Sequence, residues 1–182
     1  MRTEQQTSIL RSTNTLKVLA FLAENSGRDF TAGELLQNIM ISKAGIYLAL
    51  AELLKLDLIN RAQRGKFTLY SVKYADPFIK QFKVLQNITL FRPLISRLGP
   101  LAKRIVLFGS TGRGEDRKDS DIDLFILATN PAAVNKAVSA LKFSRKIQAI
   151  VKTPAEFSDM KDTNGVFVNE IERGIALWED KI

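Results

Sequence analysis

The chain alternates between stretches whose apolar residues recur every three to four positions and short, continuous apolar runs. The first spacing is typical of amphipathic helices, and the second is typical of strands buried on both faces. A polar arm over residues 1–11 precedes the first helical stretch, which begins near Ser12 and ends near Gly27. Helices and strands follow in an order that predicts an α+β protein with two domains.

Two more helices are indicated by their capping residues. Thr31, with Glu34 three residues later, has the form of a capping box and opens a short helix through Ile39. Ser42 is the predicted N-cap of a longer helix over Lys43–Leu56. Ile46, Leu50, Leu53 and Leu54 form the apolar inner face of the longer helix.

A hairpin with a basic tip follows these helices. The segments Leu58–Arg61 and Phe67–Val72 predict its strands, and Gln63–Lys66 predicts its turn. Three helices and a hairpin in this order resemble a winged helix-turn-helix domain of the MarR/ArsR kind, over about residues 12–75.

This resemblance implies DNA binding. In winged-helix domains the third helix enters the major groove with its N-terminal residues, and the wing reaches the backbone. The implied base-facing residues are Ser42, Lys43, Ala44 and Tyr47, with Gly45 as a further candidate. Arg61, Arg64 and Lys66 would contact phosphates from the wing. The alternative is a dimerisation or docking domain with a solvated basic hairpin.

The strongest chemical pattern lies in the second half of the chain, over Ile105–Leu127. It opens with the apolar run IVLF, which predicts a buried strand, and continues into Gly109-Ser110 and the Gly-rich turn TGRG. Glycine lets the backbone approach a ligand closely, so that N–H groups can hold phosphate oxygens. We therefore expect an anion-binding turn after this strand.

Two acidic residues, Asp121 and Asp123, open the next apolar run. Residues i and i+2 of a strand project to one face, so we expect the two carboxylates to lie together. Neighbouring carboxylates repel unless a cation lies between them or one is protonated. A hard ion such as Mg²⁺, held by one or two carboxylates and by substrate phosphates, fits this pattern.

The pattern Gly109-Ser110, ten residues, then Asp121-x-Asp123 resembles the DNA polymerase β-like nucleotidyltransferase superfamily in its minimal form. The resemblance implies a small α/β domain with a small mixed sheet, which binds a nucleoside triphosphate with Mg²⁺ or Mn²⁺ and transfers a nucleotidyl group. It implies that Gly109 and Ser110 hold the triphosphate and that Asp121 and Asp123 are catalytic metal ligands. Arg113 is the nearer candidate for a further triphosphate contact, and Arg117 is the other.

Active members of this superfamily usually carry a third carboxylate on the strand after the Asp-x-Asp strand. In the predicted strand FSRKIQAIV the corresponding position is Gln148, which is neutral and cannot act as a general base. Glu156 and Asp159, in the next predicted helix, are the nearest acids; Arg145 and Lys146 are expected at the surface. Three interpretations stay open: slow catalysis, nucleotide binding without catalysis as a sensor that controls the winged helix, and a structural role.

The remaining segments complete a three-part layout, with a winged helix over residues 1–75, a helical linker over 76–99 and a nucleotidyltransferase domain over 100–182. The linker is predicted as a long or broken helix over Pro77–Leu98, interrupted at Pro93. Its apolar residues favour packing on its own domain or on a second copy, which predicts a homodimer. Beyond the third strand, the pattern predicts a helix opened by Thr153-Pro154 and a closing helix over Val166–Trp178.

Composition narrows the chemistry. The chain has no Cys and no His, which excludes thiolate and imidazole metal sites and leaves carboxylates as ligands. Of the net charge of +8, residues 1–100 hold 14 Lys and Arg against 7 Asp and Glu, and therefore +7. This basic excess favours nucleic acid as a partner of the first half. The chain shows neither a membrane-length apolar run nor a signal-peptide core, which predicts a cytoplasmic protein.

Overall fold

A computed structural model describes residues 13–180, so the polar arm predicted for residues 1–11 lies outside the described residues. The chain divides into two compact units, the first up to Gln86 and the second from Asn87. The division falls inside the segment predicted as a linker. Within residues 13–180, no helix is long and apolar enough to cross a membrane.

Over residues 13–76, the first unit contains three helices and a three-stranded antiparallel sheet of strand order β1-β3-β2. Thr31 and Ser42 cap their helices as predicted, and Thr31 forms the full capping box with Glu34. Its elements are α1 (Asn14–Glu24), β1 (Phe30–Thr31), α2 (Ala32–Asn38), α3 (Lys43–Lys55), β2 (Ile59–Arg64) and β3 (Phe67–Val72).

The predicted linker helix is a broken pair, α4 (Pro77–Leu90) and α5 (Arg92–Leu98), followed by a short 3₁₀ turn over Gly99–Leu101. The helices break at Phe91, and Pro93 lies in the first turn of α5, where a missing N–H costs no helical hydrogen bond. The break therefore precedes the proline by two residues.

The second unit is built on a mixed four-stranded sheet of order β6-β5-β4-β7, as the predicted small mixed sheet requires. Strands β5 and β6 are parallel, and β4 is antiparallel to both β5 and β7. The elements that follow the 3₁₀ turn are β4 (Arg104–Leu107), α6 (Gly109–Arg113), β5 (Ile122–Leu127), α7 (Pro131–Ser139), β6 (Ile147–Lys152), α8 (Pro154–Thr163), α9 (Gly165–Glu172) and β7 (Ile175–Glu179).

Strand β4 is buried on both faces, as its apolar run predicts. Ile105 and Leu107 pack in one apolar cluster with Leu124, whereas Val106 packs in another with Phe125. Because a strand directs successive side chains to opposite faces, the two clusters lie on the two sides of the sheet. The turn after β4 is thus anchored on a strand with no solvent-facing side.

The predicted closing helix over Val166–Trp178 is wrong in its second half, because α9 ends at Glu172 and strand β7 follows. Ile175 and Leu177 are less exposed than Ala176 and Trp178. This alternation with a period of two residues is typical of a strand. Gly174 allows the chain to reverse against β4, since a Cβ there would lie 2.6 Å from Val106 Cγ1 and 2.7 Å from Leu107 O. The residues of β7 therefore form a strand because they pair with β4, although their sequence continues the helical pattern of α9.

Candidate functional site

The Gly-Ser turn directly follows β4 and opens the short helix α6. Gly109 has a φ of 65°, and a Cβ at this position would overlap the Asp123 carboxylate and lie 3.1 Å from its Cγ. Phe108 N donates to Asp123 O at 3.1 Å. Only glycine combines this backbone conformation with this approach, so the residue type at position 109 brings the turn against Asp123.

The two carboxylates of the Asp-x-Asp pattern interact, as predicted from their spacing. Asp121 directly precedes β5, and Asp123 is the second residue of that strand. Burial raises the pKa of Asp123 above its ordinary value, and the negative charges of Asp121 and Glu170 raise it further. A divalent cation would relieve this repulsion, so the pair fits such an ion.

Gln148 occupies the position predicted for a third carboxylate. It lies opposite Asp123 in the parallel β5–β6 register, and its Nε2 donates to Asp121 Oδ2. Lys146 Nζ lies 3.9 Å from the same oxygen. Asp121 therefore has the neutral Gln148 amide and the Lys146 ammonium beside it, and not the carboxylate that was predicted for position 148 in an active enzyme.

The acids of the following helix do not supply a replacement. Glu156 accepts from Thr153 N at 2.8 Å and pairs with Lys152 at 3.5 Å, so it completes a capping box. The further carboxylate whose charge acts on Asp123 is Glu170 on α9. Across residues 13–180, no group of three or more acidic residues could hold a metal ion. A metal here would therefore rely on Asp121, Asp123 and oxygens from its substrate.

Arg145, expected at the surface, is instead largely buried beneath this site. Its side chain is 11% exposed, and its guanidinium pairs with Asp116 at 2.8 Å. It also donates to Ser120 O at 2.7 Å, to Asp121 O at 3.1 Å and to Thr111 Oγ1 at 2.8 Å. One side chain thus connects helix α6, the loop before β5 and the backbone of Asp121.

Asn87 and Thr111 extend this buried network. Asn87 Nδ2 donates to Thr111 O and to Asp116 Oδ1, both at 3.2 Å. Thr111, which is fully buried, donates its hydroxyl to Asp121 O at 3.1 Å. A buried network whose polar groups are hydrogen-bonded to one another holds its residues in one arrangement. The network of Asn87, Thr111, Asp116 and Arg145 therefore fixes the Gly-Ser turn relative to Asp121.

Arg113 and Ser110 lie on the turn, as predicted. Arg113 Nε donates to Glu115 Oε2 at 3.0 Å, and its NH1 lies 3.6 Å from Glu170 Oε1. Ser110 is half-buried, and its backbone oxygen accepts from Glu115 N at 2.9 Å. Arg117 has an exposed side chain in the loop before β5.

A cavity of about 510 Å³ opens between α6 and α9, where β4 ends and β7 begins. Gly109, Gly112 and Arg113 line it from the first side, and Glu170 and Arg173 line it from the second. This volume falls in the range of small-molecule sites, which is roughly 300–1,000 Å³. The sequence pattern contained no signal for this cavity, because α9 and β7 were predicted as one helix.

In the first unit, most of the predicted DNA-facing residues are exposed. These are Ser42, Lys43, Ala44, Tyr47, Arg61, Arg64 and Lys66. Gly45 is the exception: it is buried, and a Cβ there would lie 2.7 Å from Asn14 Nδ2. Ser42 Oγ accepts from Gly45 N at 3.1 Å, and Arg64 lies 3.8 Å from Asp29.

Comparison with known proteins gives a family match within the second unit. A family model described as "Polymerase beta, Nucleotidyltransferase" matches residues 100–182. The match contains Gly109, Ser110, Asp121, Asp123 and Gln148, and it supports the predicted nucleotidyltransferase domain at the level of the family.

The other comparisons add no functional argument. One similar solved structure is "Structure of TrmBL2, an archaeal chromatin protein, shows a novel mode of DNA binding", at 14% identity and a TM-score of 0.34. The similarity covers 92% of this chain and 76% of that chain, but the score is too low to support an inference. No curated protein matches the chain.

Proposed function

We propose that the second unit is a divalent-metal-dependent nucleotidyltransferase, and that the first unit is a winged helix that binds DNA. The observation that carries the enzymatic proposal is the approach of Asp123 to Gly109, with Asp121 two residues away, inside the segment that matches the family. A phosphate-binding turn and a carboxylate pair in contact are what metal-assisted phosphoryl chemistry requires.

In this proposal each group has a defined task. Asp121 and Asp123 hold Mg²⁺ or Mn²⁺, which would neutralise phosphate charge when bound. Gly109 and Ser110 present backbone N–H groups to the triphosphate, and Arg113 supplies a cation beside them. Gln148 cannot accept a proton, so the acceptor hydroxyl has no carboxylate base at that position. This absence predicts slow transfer.

The test is transfer of label from α-labelled nucleoside triphosphates with Mg²⁺ or Mn²⁺, with and without cell extract. We expect label on an acceptor with the wild-type chain and none with Asp123→Asn. The matched control is Asp119→Asn, because Asp119 is an exposed acid in the same loop. Transfer that persists in Asp123→Asn would contradict the assignment.

A second function is favoured by the surroundings of Asp121. A Gln148 amide that donates to Asp121 and a nearby Lys146 ammonium suit a nucleotide-binding module without catalysis. The protein would then be a transcriptional regulator whose DNA binding responds to nucleotide. Gln148→Glu separates the two functions. Accelerated transfer in this variant supports the enzyme, whereas nucleotide binding with no transfer in either protein supports the regulator.

The DNA-binding proposal rests on exposed basic residues of the first unit. Lys43 is the first residue of α3, Arg64 is the last residue of β2, and Lys66 lies in the hairpin turn. We expect Lys43→Ala with Arg64→Ala to weaken duplex binding and to flatten its dependence on salt by about 0.9 per lost phosphate contact. Lys55→Ala, an exposed change in the last turn of α3, serves as the control. Unchanged binding in the double variant would refute the assignment.

A further inference from the structure

One carboxylate oxygen of the Asp-x-Asp pair has two hydrogen-bond donors beside it. Gln148 Nε2 donates to Asp121 Oδ2, and Lys146 Nζ lies 3.9 Å from the same oxygen. An amide N–H and an ammonium group bind anionic oxygens, as a divalent cation does, so they compete with such an ion for the carboxylate. The capacity of Asp121 to bind metal is therefore reduced on the side that faces β6.

The backbone holds these two donors in place. Gln148 lies on β6 in parallel register with β5, and Ile122 N donates to Lys146 O at 2.8 Å. The carbonyl oxygen of Asp121 accepts from the largely buried guanidinium of Arg145 at 3.1 Å. Because the backbones at positions 121, 146 and 148 are fixed relative to one another, both donor side chains stay within reach of the same carboxylate.

A second divalent ion would need acidic ligands beyond the two carboxylates. Each ion of a two-ion phosphoryl-transfer site is held by anionic oxygens. Across residues 13–180, no group of three or more acidic residues could hold a metal ion, and the register partner of Asp123 on β6 is the neutral Gln148. The Lys146 charge beside Asp121 also repels a further cation. The pair of carboxylates therefore suits one divalent ion.

Glu170 does not replace the missing acid. Its charge acts on Asp123, but its Oε1 lies 3.6 Å from Arg113 NH1 on α6. A metal ion could use this carboxylate only after the ion pair with the guanidinium had opened.

We propose that this site binds one divalent ion where two would be expected, and that the Lys146 ammonium takes the place of the second ion. The inference rests on the proposed function of the second unit. Asp121 and Asp123 hold the single ion, and Lys146 compensates the charge of Asp121 on the side of β6. Lys146 is thus a positioning residue. An ammonium group has no coordination position for an acceptor hydroxyl and cannot activate it as a divalent ion does, which agrees with slow transfer.

Three variants separate the contributions of the two donors. Lys146→Met removes the competing charge and should tighten the binding of the single Mn²⁺ ion about two- to fivefold, the range of exposed charge pairs. Gln148→Glu adds a carboxylate in register with Asp123, and its combination with Lys146→Met should bind two Mn²⁺ ions per chain. A role of Lys146 confined to folding predicts neither change. Lys142→Met, at an exposed lysine that precedes β6, is the control.

Electron paramagnetic resonance counts the Mn²⁺ ions bound to the full chain without any transfer reaction. The titration contains the α,β-methylene analogues of the four common ribonucleoside triphosphates, and a titration without protein corrects for ions on free nucleotide. We expect one ion on the wild-type chain, on Lys146→Met and on Lys142→Met, and two on the double variant. The second ion should bind more weakly to Gln148→Glu alone, where Lys146 still competes.

Several results would overturn the inference. Two ions on the wild-type chain, or one ion on the double variant, would refute the one-ion site but leave the proposed functions of the second unit standing. An unchanged affinity in Lys146→Met, or equal second-ion affinities in Gln148→Glu and the double variant, would refute the role of Lys146. The absence of any bound ion on the wild-type chain would overturn the inference and the proposed functions of the second unit together.

Discussion

Replacement of Arg145 by Met tests the buried network most severely. Arg145 donates four hydrogen bonds, and its partner Asp116 has a side chain that is only 7% exposed. Removal of one member of a buried ion pair costs about 3–5 kcal/mol, because the remaining charge loses the opposite charge that offsets its burial. For a domain of this size, that loss corresponds to a fall in melting temperature of about 12 °C or more.

The sole tryptophan of the chain makes the measurement specific. Trp178 lies on β7, and its Nε1 donates to Ala102 O, so its fluorescence reports on the second unit. We expect urea unfolding followed at Trp178 to show a lower midpoint with an unchanged slope for Arg145→Met. Lys146→Met, at a side chain that is 73% exposed, should change the free energy of unfolding by less than about 0.5 kcal/mol.

A double-mutant cycle refines this prediction. Arg145→Met combined with Asp116→Leu removes both charges, so the pair of changes should cost less than the sum of the single changes. Mn²⁺ affinity should also fall in Arg145→Met, because the backbone of Asp121 loses its support. A loss below about 1 kcal/mol in Arg145→Met would show that the pair of Arg145 with Asp116 does not stabilise the second unit as a buried ion pair does.

Three other predictions concern the turn, the carboxylates and a helix cap. Gly109→Ala should cost at least about 1–2 kcal/mol from its φ alone and should abolish metal binding, because the new methyl group displaces Asp123; calorimetry with Mn²⁺ checks this. The pKa of Asp123 is raised by burial and by Asp121, so its contribution to stability in the metal-free protein is present at acidic pH and lost as pH rises through the raised pKa. Asp123→Asn should therefore melt near wild type at acidic pH and above it at neutral pH, and a gap that shrinks with rising pH would contradict the cause given. Thr31→Ala should destabilise the first unit by about 1 kcal/mol in chemical unfolding, because Glu34 N loses the Thr31 hydroxyl as its acceptor.

Local features of the fold were predictable from sequence. Ser42 and Thr153 cap helices through a side chain that reaches three residues along the chain, so the signal lies within one short window. The place of Gln148 was expected from the resemblance to the nucleotidyltransferase superfamily, and the parallel pairing of β5 with β6 sets it opposite Asp123. The cap predictions alone needed no knowledge of distant contacts.

The missed features depend on contacts between distant segments. In the sequence, Arg145 lies beside Lys146 in a polar stretch, and nothing local distinguishes the two side chains. Arg145 is buried because Thr111 and Asp116, which are distant in sequence, fold around its guanidinium group. Strand β7 exists because β4 offers an edge for pairing, and Glu170 reaches the site because α9 precedes that strand. The sequence signal for β7 was an alternation of apolar and more polar positions over only five residues, Ile175–Glu179. It competed with a longer helical pattern that included the residues of α9.

The most direct test of the account is a titration with Mn²⁺, followed by electron paramagnetic resonance, in the presence of a non-hydrolysable nucleoside triphosphate. Both proposed functions require a metal-nucleotide site at Asp121 and Asp123. We predict nucleotide-dependent binding of Mn²⁺ to the wild-type chain and to Asp119→Asn, and its loss in Asp123→Asn. Equal binding in Asp123→Asn, or no binding to the wild-type chain, would show that these two carboxylates do not form a metal-nucleotide site.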